Sequence, residues 1–428
     1  MSVEKMKKMR RMPTWYDIAQ LVIALLVPLT IISYTIIDNN TERSIAQENR
    51  FQDLKIADER HGQSLVLLEE EQEEATLVHY FDSLAKLLER NRHLINQTNI
   101  ARFKTLNAFA QLKPKRKLLL IRSLIENRLI RVHDKGPLLD LSLADLNGLD
   151  LSNNVLDNNE LICINLSKAK LINSSFKGLF LHGSMFNEAH LTHADFSSTT
   201  IYEWRCGGYS NAGTFFRRAN LDQSNFDSAK YIKAIFRGSS MINSQMNSFS
   251  CTNCVFSICQ MNSIRITNSK FISEYSPTGS FQNTNLTSAS IEKTLFEDIS
   301  MSQADLLFTN ISQTTFNRTD FTFANWKDSF LNQNSIYNAT FFFTNLTNSF
   351  WNETNVFHSV FNRTDLTNWK FVNGLCYFCI FDQVDFSTVD FTNSSLDGTD
   401  FRRTNLKYEQ LIFAKSIHNI ILPNQTFF

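Results

Sequence analysis

Large apolar residues recur at every fifth position between residues 141 and 411 in one register, with Asn211 and Ser276 as the clear polar exceptions. Small residues stand two positions before these apolar centres, as at Ala144 and Ala324. A period of five fits neither an α-helix nor an ordinary β-strand. It is typical of a solenoid, in which each short unit buries its apolar residue by stacking on neighbouring units.

The units ADFSS at 194–198, RTDFT at 318–322 and RTDLT at 363–367 resemble the repeats of the pentapeptide-repeat family. The resemblance implies a mainly β fold, a right-handed quadrilateral β-helix with about 20 residues per turn. Residues one turn apart would stack on one face. This spacing predicts an apolar column that runs from Leu181 through Ile201, Leu221 and Phe381 to Phe401.

An uncharged, mostly apolar segment spans residues 18–37 and follows a basic tail with Lys5, Lys7, Lys8, Arg10 and Arg11. The segment is long enough to cross a bilayer. A signal peptide is the alternative, but it would end in a small-residue cleavage site that this segment lacks. The positive-inside bias predicts a type II, single-pass signal-anchor membrane protein with extracytoplasmic repeats. An inverted protein with cytosol-facing repeats is the other topology.

Six segments are therefore predicted along the chain. A basic cytosolic tail occupies 1–15, a transmembrane helix 16–37 and a polar helical stalk 38–75, which lacks the strict heptad of a coiled coil. Apolar positions at helical spacing predict a small α-helical cap region at 76–135, with one helix starting near Pro114. The pentapeptide-repeat β-helix follows at 136–415, and a C-terminal tail occupies 416–428.

The charge balance argues against nucleic acid as a partner. The chain has 42 basic and 42 acidic residues and no net charge at pH 7. Some pentapeptide-repeat proteins imitate DNA, and this requires a strongly acidic surface in place of the phosphates. The even balance favours a protein partner instead.

Two C-x-x-C segments, Cys251 with Cys254 and Cys376 with Cys379, suggest a zinc site at first sight. They lie several predicted turns apart, so they cannot share one ion. Along with Cys259 they occupy centre or small inward positions, which favours packing as small buried residues. No cysteines lie 20 residues apart for a disulfide between stacked turns, but a Cys251–Cys254 bond is geometrically possible.

An irregular coil at 203–215 interrupts the repeats with Gly207, Gly208 and Asn211. It lacks the helix and the Lys-Ser/Thr ending of a phosphate-binding loop. Because the register resumes at Phe216, the coil is predicted to replace regular units without adding residues. Exposed aromatic and arginine side chains dominate many interfaces. The predicted partner contacts here are Trp204, Arg205 and Tyr209.

Acidic residues just before the centres, such as Asp195 and Asp320, could suggest a glycosidase pair. The repeat itself favours Asp or Asn there because these side chains bond the backbone at turns. We therefore predict a non-enzymatic interaction or scaffold protein without catalytic residues, cofactor or metal. The alternative is a glycan-directed enzyme or carbohydrate-binding protein with its site at 203–215. Asn-x-Ser/Thr sequons from Asn39 to Asn424 are compatible with a glycoprotein.

Overall fold

The computed structural model describes residues 15–89, 95–130, 139–152, 159–203, 206, 213–274 and 281–423. Within these ranges, the side chains of residues 15–25, 88–89 and 95–97 are outside the description. The chain divides into two compact units, Met1–Gln72 and Glu73–Phe428.

Helix α1 (Trp15–Glu89) is a single element with Pro28 inside it. It covers both the predicted membrane helix at 16–37 and the predicted stalk at 38–75. Among the described residues, no helix is both long enough and apolar enough to span a membrane. The predicted tail up to residue 14 lies outside the described residues, as do the side chains of 16–25 in the predicted span.

Helices α2 (Ile95–Gln111) and α3 (Pro114–Glu126) belong to the same apolar core as the first coil of the solenoid. Helix α3 has Pro114 in its first turn, as the sequence predicts, and its inner face buries Leu120, Ile121 and Leu124. Lys117 Nζ lies 3.1 Å from Asp145 Oδ1 of the first coil. The helices therefore contact the solenoid where an uncovered coil would present an unpaired edge.

The described strands of the solenoid are short, and every recorded strand pair is parallel. In chain order they are β1 (Thr200–Ile201), β2 (Lys230–Ile232), β3 (Gln245–Asn247), β4 (Ser250–Thr252), β5 (Arg265–Thr267), β6 (Lys270–Ile272), β7 (Ser290–Glu292), β8 (Leu295–Glu297), β9 (Asn310–Ser312), β10 (Thr315–Asn317), β11 (Phe330–Asn332), β12 (Ser335–Tyr337), β13 (Thr340–Phe342), β14 (Phe350–Asn352), β15 (Asn355–Phe357), β16 (Val360–Asn362), β17 (Lys370–Val372), β18 (Leu375–Tyr377), β19 (Ile380–Asp382) and β20 (Asp400–Arg403). A 3₁₀ helix follows at Tyr408–Leu411.

These strands stack into three sheets, ordered β1-β2-β4-β6-β8-β10-β12-β15-β18, β3-β5-β7-β9-β11-β14-β17 and β13-β16-β19-β20. A further column consists of single bridged pairs, such as Asn325 with Asn345. Bridges also join Ser395 to Ser416 and Asp400 to Ile421. Pairing therefore continues past residue 415, where the sequence places the end of the solenoid.

Most described units bury their apolar centre and turn at a left-handed residue two positions later. Phe321 and Trp326 are fully buried centres. Asn338 has φ of 51°, a region that Asn adopts more readily than most residues. Asp320, just before its centre, accepts the backbone N–H of Thr322 at 3.0 Å. The acidic residues that precede the centres therefore have a structural role in these turns.

Serine and threonine fit the small inward position because a backbone carbonyl accepts their hydroxyl. Thr344 Oγ1 donates to Phe321 O, and Ser244 Oγ donates to Leu221 O, each at 2.8 Å. The hydrogen bond compensates the loss of water around a buried hydroxyl. The inward row can therefore contain polar residues such as these.

Residues 20 apart stack on one face over most of the solenoid, as the family resemblance implies. Phe341 pairs in register with Phe361, and Phe361 with Phe381. Their rings stack at centroid distances of 4.5 and 4.6 Å. Such aromatic contacts add to the stabilisation from burial alone.

The vertical repeat lengthens by five or ten residues at three places in the described residues, at the pairs Asp145 with Lys170, Thr200 with Lys230 and Gln260 with Asn285. The predicted apolar column therefore breaks after Ile201, which pairs with Tyr231 and not with Leu221, whereas its later members Phe341, Phe361 and Phe381 stack as predicted. Each of these insertions adds a multiple of five residues. The five-residue register consequently persists in the sequence while the stacking partners change.

Candidate functional site

The irregular coil predicted as a contact site is described only in part. Trp204, Arg205 and Tyr209 lie outside the described residues. The coil lies between Thr200 and Lys230 in the chain. These two residues pair with each other in adjacent turns although they are 30 residues apart. It therefore adds residues to its turn, and the prediction that it adds none is wrong.

A disulfide anchors the coil to an earlier turn. Cys206 is bonded to Cys163, with their Cα atoms 5.6 Å apart. The bond lies against Gly183, where an added Cβ would be 2.1 Å from Cys206 Sγ. Gly183 also has φ of 66°, which glycine adopts without steric cost. A longer side chain at this corner would therefore collide with the disulfide.

The 20-residue spacing of regular turns does not predict this bond, because its cysteines lie 43 residues apart. Cys206 lies in the inserted coil, so its partner need not follow the 20-residue rule. The sequence signal that could have suggested the bond is the placement of Cys163 and Cys206 on either side of Gly183.

His182 fixes the start of the coil. The Tyr202 N–H donates to His182 Nδ1 at 2.8 Å, and the two ring centroids are 5.3 Å apart. Burial lowers the pKa of His182, which favours the neutral ring that can accept this bond. Glu203 and Lys233 form an ion pair at 2.8 Å beside it. These contacts hold Tyr202 and Glu203 on the solenoid.

A second candidate site is a group of solvent-accessible rings near the carboxyl end of the solenoid. We define the aromatic surface by Tyr337, Phe342, Phe343, Phe357, Tyr377 and Phe378. Tyr337, Phe357 and Tyr377 are the last residues of the neighbouring strands β12, β15 and β18 and pair in register. The rings of Tyr337 and Phe357 stack at 4.9 Å.

The aromatic surface continues onto the next face of the same coils. Phe342 ends strand β13, and Phe343 follows at the corner with φ of 52°. The Phe343 ring stacks on Phe323 at 5.0 Å. The guanidinium of Arg363 lies 5.3 Å from the Phe343 ring centroid, within cation–π distance. Two adjacent faces therefore present aromatic groups to solvent.

The two corner phenylalanines are the most exposed members of this surface. Phe343 is 45% exposed and Phe378 is 47% exposed. The Phe378 ring stacks on His358 at 5.5 Å and meets Tyr377 edge-on at 4.4 Å. Rings stacked along the solenoid present their edges outward, which suits contact with apolar and aromatic side chains of a partner.

The five-residue pattern does not single out these aromatics, because they lie between the buried centres. A usable signal was present, since Tyr337, Phe357 and Tyr377 recur 20 residues apart at a position that faces away from the core. The recurrence of Phe323 and Phe343 gives the same signal at the corner.

Several described aspartates accept hydrogen bonds from residues of the turns around them. Burial opposes ionisation of Asp365, but hydrogen bonds from the side chain and backbone of Thr367 outweigh it and lower the pKa of the carboxyl group. Asp385 has a lowered pKa because it accepts hydrogen bonds from the Ser387 backbone and the Asn405 side chain. Neither carboxyl group has the raised pKa that a general acid requires. Across the described ranges, no cluster of His, Cys, Asp and Glu could hold a metal ion.

A family profile described as "Pentapeptide repeats" matches the chain in eight copies over residues 164–201, 280–318 and 376–407. These segments include Tyr377 and Phe378 of the aromatic surface and the Gly183 corner. A comparison with curated protein sequences finds no match.

Several solved structures are similar to this chain. HetL, a pentapeptide repeat protein involved in heterocyst differentiation regulation from the cyanobacterium Nostoc sp. strain PCC 7120, is 15% identical with a TM-score of 0.26, covering 63% of this chain and 93% of that chain. QnrB1, a plasmid-mediated fluoroquinolone resistance protein, is 11% identical with a TM-score of 0.34, covering 44% and 94%. A mannuronic acid specific polysaccharide lyase from human gut microbiota is 9% identical with a TM-score of 0.27, covering 71% and 90%.

Proposed function

We propose, from the premise that the chain belongs to the pentapeptide-repeat family, that it is a non-enzymatic interaction protein whose aromatic surface binds a protein partner. The observation that carries this proposal is the exposure of Phe343 and Phe378 at corners that follow two parallel strands of the solenoid. A contiguous exposed apolar patch commonly marks an interaction site.

The chemistry of the aromatic surface favours a protein over a nucleic acid or a sugar. Arg363 is its nearby cation, and the chain as a whole carries no net charge, so a phosphate backbone would find little attraction. Stacked rings present edges, whereas sugars and bases pack on ring faces. Aromatic and arginine side chains are enriched among the residues that dominate protein interfaces.

We also propose that the protein is anchored in a membrane by residues 16–37, with the repeats outside the cytosol. The uncharged segment and the basic residues before it support this topology. The two disulfides, Cys163–Cys206 and Cys251–Cys254, fit the same topology, since structural disulfides persist in oxidising compartments. The stacked columns and the family membership support a right-handed, four-sided coil.

The irregular coil supplies a second proposed contact through Trp204, Arg205 and Tyr209. The Cys163–Cys206 disulfide and the hydrogen bond between Tyr202 and His182, which lie beside these residues in the chain, support this proposal. We propose no catalysis at this coil, because no pairing of a nucleophile with a base is found among its described side chains.

The proposal can be tested by proximity labelling from the solenoid in intact cells. Phe343 and Phe378 are changed to Asn together, because Asn suits their left-handed corners and should not harm folding. The matched control is Phe308→Asn, at a corner with φ of 57° and 57% exposure, outside the aromatic surface.

We expect one or more proteins labelled by the wild type and by Phe308→Asn to be lost with the double variant. In direct binding with such a protein, loss of two interface aromatics should weaken affinity by roughly tenfold or more. An identical set of labelled proteins for all three chains would show that the aromatic surface is not the binding site.

A further inference from the structure

The two C-x-x-C segments, Cys251–Cys254 and Cys376–Cys379, occupy the same place in the repeat. In each, the first cysteine is an apolar centre and the second is the small inward residue of the next unit. The residue just before the second cysteine is left-handed in both, with φ of 56° at Asn253 and 51° at Phe378. The backbone between the cysteines therefore follows the same path.

The surroundings of the two segments also match. Strands β4 and β18, which contain Cys251 and Cys376, lie in the same sheet. Cys254 Sγ lies 3.8 Å from the carbonyl oxygen of the residue 23 positions earlier, and Cys379 Sγ lies 3.6 Å from the equivalent oxygen. The side chains of Cys376 and Cys379 are within hydrogen-bonding reach of each other.

The first segment already shows that this backbone can close a disulfide. Cys251 and Cys254 are bonded, with a Cα–Cα distance of 5.9 Å, inside the range that disulfides require. Cys376 and Cys379 are both buried free thiols. We infer that Cys376 and Cys379 form a disulfide of the same kind when the chain folds in an oxidising compartment.

The reaction is a two-electron oxidation by thiol–disulfide exchange. The two thiols lose their protons and become one disulfide, while a disulfide of an exchange catalyst or of a small-molecule oxidant is reduced to two thiols. Burial raises the pKa of the Cys376 thiol in the folded solenoid, so few thiolates are available there. The bond must therefore form before the next coil covers the pair.

The bond would fix part of the aromatic surface. Tyr377 and Phe378 lie between the two cysteines, and their rings are 4.4 Å apart. Closing the disulfide removes freedom from the corner that presents both rings. This consequence rests on the proposed function, whereas the existence of the bond does not.

The test is disulfide mapping of the full chain produced in an oxidising host compartment. The protein is quenched in acid, its free thiols are alkylated in denaturant without reductant, and the peptides are mapped by mass spectrometry. Cys259 is a buried thiol without such a neighbouring cysteine and should be alkylated, which verifies the labelling.

We expect the peptide with Cys376 and Cys379 to be unlabelled and lighter than its reduced form by two hydrogens. A Cys379→Ser variant should then show full alkylation of Cys376. Alkylation of both Cys376 and Cys379 in the wild type would overturn the inference. Partner labelling with the Phe343 and Phe378 variant depends on neither result, so failure of the two proposals can be distinguished.

Discussion

Replacing Gly183 with Ala should break the Cys163–Cys206 disulfide and release the irregular coil. The new Cβ would lie 2.1 Å from Cys206 Sγ, a distance that no adjustment of a flexible side chain can relieve while the bond stays closed. The substitution also places a non-glycine residue at φ of 66°, which costs about 1 kcal/mol by itself.

The size of the effect follows from the chain that the disulfide closes. The cysteines are 43 residues apart, and the chain-entropy estimate for a loop of this length is about 4 kcal/mol of unfolding free energy. The total loss for Gly183→Ala should therefore be about 5 kcal/mol, with the disulfide as the larger part.

Gly238 provides the matched control for backbone strain. It occupies the same corner position with φ of 73°, and the nearest atom to its added Cβ is Arg218 Cγ at 3.6 Å. Gly238→Ala should therefore cost only the strain of about 1 kcal/mol. The assay is denaturant unfolding under non-reducing conditions, together with alkylation of free thiols. Equal losses for the two variants, with Cys163 and Cys206 still bonded, would refute the reasoning.

Three further predictions concern the core, the coil and the membrane. Phe341→Asp should lower the unfolding free energy by more than about 3 kcal/mol, because Phe341 is fully buried. Asn338→Asp, at an exposed corner, should change it little. Equal thermal midpoints for the two variants would contradict the inward assignment of Phe341. Burial lowers the pKa of His182 in the folded protein. Its contribution to the free energy of unfolding is therefore complete above its unfolded pKa of about 6.5 and declines as the pH falls from there towards the folded pKa. The stability difference between wild type and His182→Asn should therefore shrink from pH 7.5 to 5.5 in unfolding assays, and a pH-independent difference would argue against this role. Residues beyond 40 should resist protease added to sealed microsomes, and their digestion would reject the type II topology.

The sequence determined the architecture because every unit has the same local requirement. An apolar residue every fifth position, with small residues two positions earlier, can be buried only in a stacked coil. Corner residues such as Asn338 and turn carboxylates such as Asp320 follow from short-range backbone geometry. The start of helix α3 at Pro114 is likewise a local signal. These features need no knowledge of distant contacts.

The tertiary structure decided which units stack on one another. Insertions that are multiples of five leave the sequence register unchanged, so the partner of Ile201 could not be read from the period. The Cys163–Cys206 bond depends on the path of an inserted coil, and the aromatic surface depends on which faces of successive turns coincide. These are long-range relations, and a pattern that repeats locally cannot specify them because every unit satisfies it equally well.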